Sequence, residues 1–245
     1  MSLQLSSWLV VATLFFAQTC VAQATLVVAA ASDLTDLEGP LASSFGKRDP
    51  GIHINWVTAS SAILSQQIQN GAPYDVFLSA NVQYIDRLQA AGKLDAASIA
   101  PYAVGRVAIL WRDGKHHPVS DLTQNWVRFV ALPNPKLAPY GVAAQEALEH
   151  AGIWTAVRPK IVYGENVRQT LQLFDSGNAD AVITSDSLLQ GKNPQLIPAE
   201  WHQPILQKAG IVAASKNAEA ARKFFEFLRG ADGQAVFARF GFGKP

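Results

Sequence analysis

Cysteine is almost absent: Cys20 is the only one in 245 residues, and it lies within the first 24. One thiol supports neither a disulfide framework nor a cysteine-built metal centre. Excess charge is missing too. Lys and Arg number 20 against 19 Asp and Glu, a net charge of +1. A chain so close to neutral has no electrostatic footprint for nucleic acid or an anionic membrane surface. Histidine is sparse, and His53, His116, His117, His150 and His202 are scattered without metal-ligand spacing. Neither a Gly-x-Ser-x-Gly elbow nor a phosphate-loop lysine motif occurs. Gly241-Phe242-Gly243-Lys244 stands at the C-terminus with no helix to follow, so it is not a nucleotide loop.

The first 24 residues form a separate object. Residues 9–17 (Leu-Val-Val-Ala-Thr-Leu-Phe-Phe-Ala) are too short to span a bilayer and have the length of a signal-peptide core. Ala22-Gln23-Ala24 is a small-x-small cleavage signal, although no Lys or Arg precedes the apolar core. Ala17-Gln18-Thr19 does not match the lipobox that a lipoprotein would carry before Cys20. The expectation is export with cleavage after Ala24, which leaves a mature chain with no cysteine. Such a chain is held together by its core alone. Its length suits two lobes of about 100 residues each.

Strand-like and helix-like runs alternate from there on. Residues 25–30 predict a short apolar strand, and Ser32 is a good N-cap for Leu34, Leu37, Leu41 and Phe45 at helical spacing. Gly39-Pro40 predicts a kink or break in that helix. Further strands are expected at 52–57, 75–79, 104–111, 128–132, 160–163, 180–184 and 209–213. Helices are expected at 60–70, 82–91, 141–150, 166–175, 218–229 and 232–240. Repeated strand–helix units imply an α/β fold with mostly parallel sheets flanked by helices. In such sheets a ligand sits at the carboxyl ends of the strands.

Four motifs fall at those ends: Ala29-Ala30-Ala31-Ser32-Asp33-Leu34, Ala59-Ser60-Ser61-Ala62, Ala138-Pro139-Tyr140-Gly141 and Glu165-Asn166-Val167-Arg168. Each stands where an apolar strand gives way to a helix. A helix N-terminus presents unpaired N–H groups and the positive end of the macrodipole. Four such ends aimed at one point would hold a dianion without lysine or arginine. The chain therefore reads as a receptor for a small oxyanion.

Together with Gly71-Ala72-Pro73-Tyr74-Asp75-Val76-Phe77, Asn134-Pro135-Lys136-Leu137 and Phe237-Ala238-Arg239-Phe240-Gly241-Phe242, these motifs occur in an order that resembles the periplasmic molybdate-binding proteins of bacterial ABC importers. The match covers essentially the whole mature chain. The resemblance implies a type II periplasmic binding fold with the ligand in the cleft between two lobes. Residues 25–103 and 208–245 would form lobe one and 104–207 lobe two, with crossings near 104–108 and 207–211. It implies two hydroxyl ligands, Ser32 and Ser61, and two backbone donors, Tyr140 and Val167. Some members add a tyrosine hydroxyl where this chain has Ile183, and Tyr140's own hydroxyl is a candidate replacement. The implied function is capture of molybdate, and also tungstate, in the periplasm. Delivery would be to a membrane permease driven by a separate ATPase subunit. The implied protein is a monomer with no cofactor and no free metal cation, the molybdenum arriving as its oxyanion.

Plainer readings stand beside these. Ser32 and Ser61 can both be N-caps, Tyr140 a turn residue, and Val167 a core side chain that offers only its N–H. Asp33 would repel a dianion, so it is expected to turn to solvent as a first-turn acid. Arg168 is expected in an exposed or lobe-bridging ion pair. Rival functions are a binding protein of the same fold for sulfate or another small ligand, a secreted hydrolase using Ser61 or Ser185, and a scaffold domain. The hydrolase lacks a recognisable histidine base.

Overall fold

The computed structural model describes residues 24–245. The expected signal segment lies outside them except for Ala24, which opens the first strand.

The first sheet begins with β1 (Ala24–Ala31), followed by a 3₁₀ turn (Ser32–Leu37) and α1 (Glu38–Arg48). Next come β2 (Ile52–Ala59), α2 (Ser61–Gln69), β3 (Val76–Ser79), α3 (Val82–Ala90) and β4 (Ala100–Gly105). The chain then builds a second sheet from β5 (Val107–Trp111), β6 (Val130–Pro133), α4 (Pro139–His150), the short α5 (Trp154–Val157) and β7 (Ile161–Gly164). α6 (Val167–Asp175), β8 (Ala181–Ser185) and β9 (Gln195–Leu196) complete it. β10 (Ile205–Ile211) returns to the first sheet, and α7 (Ala218–Arg229) and α8 (Ala231–Arg239) close the chain.

Strand order is β2-β1-β3-β10-β4 in one sheet and β7-β6-β8-β5-β9 in the other. In each, two strand pairings are parallel and two antiparallel, so four strands run one way and one, β10 or β5, runs against them. The sheets are mostly parallel in strand direction, as the sequence implied, and one reversed strand makes each of them mixed. Apolar runs report burial on both faces and carry no sign of strand direction. β3 and β8 sit inside the sheets and are buried at every position.

The apolar run at 104–111 is two strands. β4 ends at Gly105 in the first sheet, and β5 starts at Val107 in the second. Apolar residues on both sides of Arg106 hide the change of sheet. The return passage lies between β9 and β10, so residues 205–207 pair in the first sheet rather than the second. The break expected at Gly39-Pro40 falls just ahead of them. The 3₁₀ turn gives way to α1 at Glu38, and Pro40 sits in the first helical turn, where its missing N–H costs nothing.

Each sheet has its own core. Phe45 of α1 meets Phe224 and Phe227 of α7, with ring centroids 5.2 and 5.3 Å apart. On the second sheet α6 buries Val167, Thr170, Leu171 and Phe174, the i, i+3, i+4, i+7 stripe of an amphipathic helix.

Candidate functional site

A small cavity lies where the carboxyl ends of β1 and β2 face the starts of α4 and α6. Ser32, Asp33, Ser60, Ser61 and Ala80 line it from the first sheet, and Ala138, Pro139, Tyr140 and Val167 from the second. All four residues singled out in the sequence as ligands thus meet at one place. Its volume is about 10 Å³, the room of one water-sized sphere. Larger hollows exist, such as one of about 500 Å³ beside Asp75 and Asn217, but no convergent helix starts surround them.

The helix starts leave their first donors free. In α2 the N-cap is Ser60, whose Oγ accepts from Ile63 N at 3.4 Å. In α6 the N-cap is Asn166, whose Oδ1 accepts from Gln169 N at 2.9 Å. These caps satisfy third-position donors. The N–H groups of Ser61 and Val167, at the first position, have no partner within their helices. In α4 the first residue is Pro139, which has no N–H, and Gly141 N turns back to Ala138 O at 2.9 Å. Tyr140 N–H is the donor that remains between them.

Neither serine plays the capping role the sequence offered. Ser32 opens the 3₁₀ turn, and its hydroxyl caps nothing. Ser61 Oγ accepts from Ala80 N at 3.1 Å. A hydroxyl that already accepts keeps its proton for another partner. A Ser-Ser pair does not tell which member caps, because one residue of slip exchanges the roles. Val167 buries its side chain among the core residues of the second sheet, as its helical spacing implies.

Asp33 corrects the expectation most. It is 1% exposed, not turned to solvent. Tyr140 Oη donates to its Oδ2 at 2.8 Å, and Gln207 Nε2 donates to the same oxygen. Tyr102 Oη in turn donates to Gln207 Oε1. Asp33 Oδ1 is buried without a hydrogen-bond partner among the described residues. Burial pushes the carboxyl up to about 6, against the lowering pull of the bonds from Tyr140 and Gln207. Gln207 escaped the sequence reading, because the adjacent Gln207 and Lys208 of β10 give no periodic signal that one of them is buried. Tyr140's hydroxyl is engaged by Asp33 and Gln207, so it does not stand in for the missing tyrosine at position 183. Ile183 itself is core, paired with Ile109 between β8 and β5.

Among the described residues no lysine or arginine lines the cavity. Arg168 lies outside it and pairs with Asp36 across the two sheets at 3.2 Å, both side chains about two-fifths exposed. Among the described residues no histidine lines it either, so Ser61 has no imidazole base beside it. Ser185 shares its hydroxyl with Ser187 Oγ at 2.8 Å.

Two lobes built on mixed sheets, with neutral hydrogen-bond donors gathered between them, define a solute-binding protein rather than an enzyme. The chain belongs to the bacterial extracellular solute-binding proteins, whose family model matches residues 26–243. It is 34% identical over 235 residues to the molybdate-binding protein ModA of Azotobacter vinelandii, covering 91% of this chain and 92% of that one. The solved periplasmic molybdate-binding protein of Azotobacter vinelandii superposes with a TM-score of 0.83 at 28% identity, covering 90% of this chain and 99% of that one. The sulfate-binding protein SubI of Mycobacterium tuberculosis superposes with a TM-score of 0.70 at 19% identity, covering 89% and 85%. That second likeness speaks for the fold alone.

Proposed function

We propose that the protein captures molybdate, and tungstate with it, and delivers the anion to a membrane permease worked by a separate ATPase subunit. It acts as a monomer in the periplasm, after cleavage behind Ala24. One observation carries the reading. Ser32, Ser61, Tyr140 and Val167 surround a single cavity that has helix starts on its walls and no cation. Ser32 and Ser61 donate hydroxyl protons, and Tyr140 and Val167 donate main-chain N–H. These bonds go to the anion's oxygens, so molybdenum keeps its own oxygen shell and no protein atom ligates it. The dianion is then balanced by dipoles, as at other helix-end anion sites. Molybdate-binding relatives over nine-tenths of the chain support the choice of anion.

A tetrahedral oxyanion needs more room than one water-sized sphere. The lobe of β1–β4 and β10 therefore opens against the lobe of β5–β9 to admit it, then closes. A thermal-shift series with molybdate, tungstate, sulfate and phosphate tests the reading. Binding to the native state alone stabilises by about 4 kcal/mol at a thousandfold excess over Kd. Molybdate and tungstate should raise Tm well beyond sulfate and phosphate. An equal shift with sulfate would defeat the choice of anion, and no shift with any of the four would defeat the oxyanion site.

A further inference from the structure

We propose that Asp33 is a proton-carrying member of this pocket: the oxyanion is held with the Asp33 carboxyl protonated, so that capture takes up one proton. The inference rests on the reading of the cavity as an oxyanion site.

Asp33 lines the cavity between Ser32 and the start of α4. Its Oδ2 already receives Tyr140 Oη and Gln207 Nε2. Its Oδ1 is buried and has no partner among the described residues. An ionised carboxylate only accepts, and so does a fully deprotonated oxyanion. Two such groups in one small cavity repel and cannot bond. One proton on Oδ1 removes both faults. It supplies a donor where the anion needs one, and it removes a negative charge that no lysine or arginine in the cavity offsets. Burial has already moved the carboxyl up to about 6. A dianion placed beside it moves it further in the same direction.

The other charged groups near Asp33 have partners or surroundings of their own. From β4 and α4 come Tyr102 and Tyr140, both held above the ordinary tyrosine range by burial. On Asp33's own turn, Asp36 is paired with Arg168 of α6. Glu38, at the start of α1, receives the Thr58 hydroxyl of β2. From β10, Lys208 points to Asp86 of α3 at 3.2 Å. The turn Asp186–Leu188 packs on that of Asp33 and carries one more buried carboxyl. Asp186 is raised by burial, with Arg106 and Gln190 opposing. It is the natural control.

Linkage fixes the sign. The bound carboxyl holds its proton more tightly than the free one. Affinity is therefore highest below the free value of about 6 and falls up to tenfold per pH unit above it, until the bound value is passed. Titration calorimetry of the mature protein with molybdate, from pH about 5 to about 8 in two buffers of different ionisation heat, reads both affinity and proton uptake. The expected result is an uptake approaching one proton per anion and affinity that weakens as pH rises. Asp33→Asn keeps the shape and places an amide donor where the protonated oxygen stood. It should bind molybdate with no proton uptake and a flat pH profile, while Asp186→Asn keeps the wild-type slope. A flat wild-type profile without uptake overturns the proposal. So does a slope that survives in Asp33→Asn or vanishes in Asp186→Asn. If neither the wild type nor Asp33→Asn binds the anion at any pH, the oxyanion site itself fails, and this inference with it.

Discussion

The Tyr140 hydroxyl, carried by α4 beside the second sheet, donates to Asp33 Oδ2 at the end of β1 in the first sheet, 2.8 Å away. Two further ties between the sheets reach the same turn. Ser187 Oγ donates to the Asp33 carbonyl at 2.6 Å, and Arg168 pairs with Asp36 at 3.2 Å. The turn that brings Ser32 to the cavity is thus also where the lobes are fastened. On the proposed function, a solute in that cavity would touch the fastening itself and so gain leverage over closure.

Ser61→Ala should weaken molybdate binding. Hydrogen bonds to charged groups contribute about 1.5–3 kcal/mol each, and about 1.4 kcal/mol is tenfold in affinity, so the loss should be roughly ten- to a hundredfold. The same change strips Ala80 N of its acceptor. The unliganded protein should therefore lose about 1–3 kcal/mol as well. Titration calorimetry and a denaturant melt separate the two effects. Unchanged affinity would remove Ser61 from the donor set.

Arg168→Gln should cost much less. Its ion pair with Asp36 is partly exposed on both sides, and such pairs contribute about 0–1 kcal/mol. Affinity should move by less than about fivefold at equal salt. Binding abolished in Arg168→Gln, with Ser61→Ala silent, would mean a cationic clamp in place of helix-end dipoles.

Gly141→Ala should damage the site from behind. A Cβ there would overlap Pro133 O and stand 2.8 Å from both Asn134 C and Pro135 N, all of them main chain. Neither neighbour can swing aside, so α4 must shift, and Tyr140 N–H with it. A loss of about 1–3 kcal/mol in stability is expected, together with weaker anion binding. Gly39→Ala in α1 is the control, since a Cβ there meets nothing within 4 Å. A silent Gly141→Ala would contradict the close approach of α4 to the 133–135 loop.

The stability of the unliganded protein should carry Asp33's signature. Its folded value near 6 lies above an unfolded value of about 3.9. Between those two pH values the folded state binds more protons than the unfolded one. Stability from this group is therefore present at low pH and is lost as pH rises through about 6, a change of roughly 3 kcal/mol. Asp33→Asn should abolish that loss, making the variant the more stable protein at neutral pH and bringing the two together towards pH about 4. Urea melts across the range check it. A wild-type profile without this fall, or a variant that reproduces it, would contradict the buried, half-satisfied carboxyl.

The sequence by itself determined the elements and the places where strands hand over to helices. Apolar runs and 3.6-residue stripes are local, and α6 and α7 stand within one residue of where their spacing put them. The same local signals marked the four motifs at helix starts, and the resemblance to the molybdate-binding family then implied Ser32, Ser61, Tyr140 and Val167 within them. Tertiary structure alone decided the rest. Whether the run at 104–111 stays in one sheet depends on what lies beside it, and both sheets accept the same apolar residues. Which serine caps α2 turns on Ala80 N, 19 residues away. The fate of Asp33 depends on Tyr140 and Gln207, 107 and 174 residues distant in the chain. A polar side chain is buried or solvated according to the partners that folding brings to it, and no window of neighbouring residues contains them.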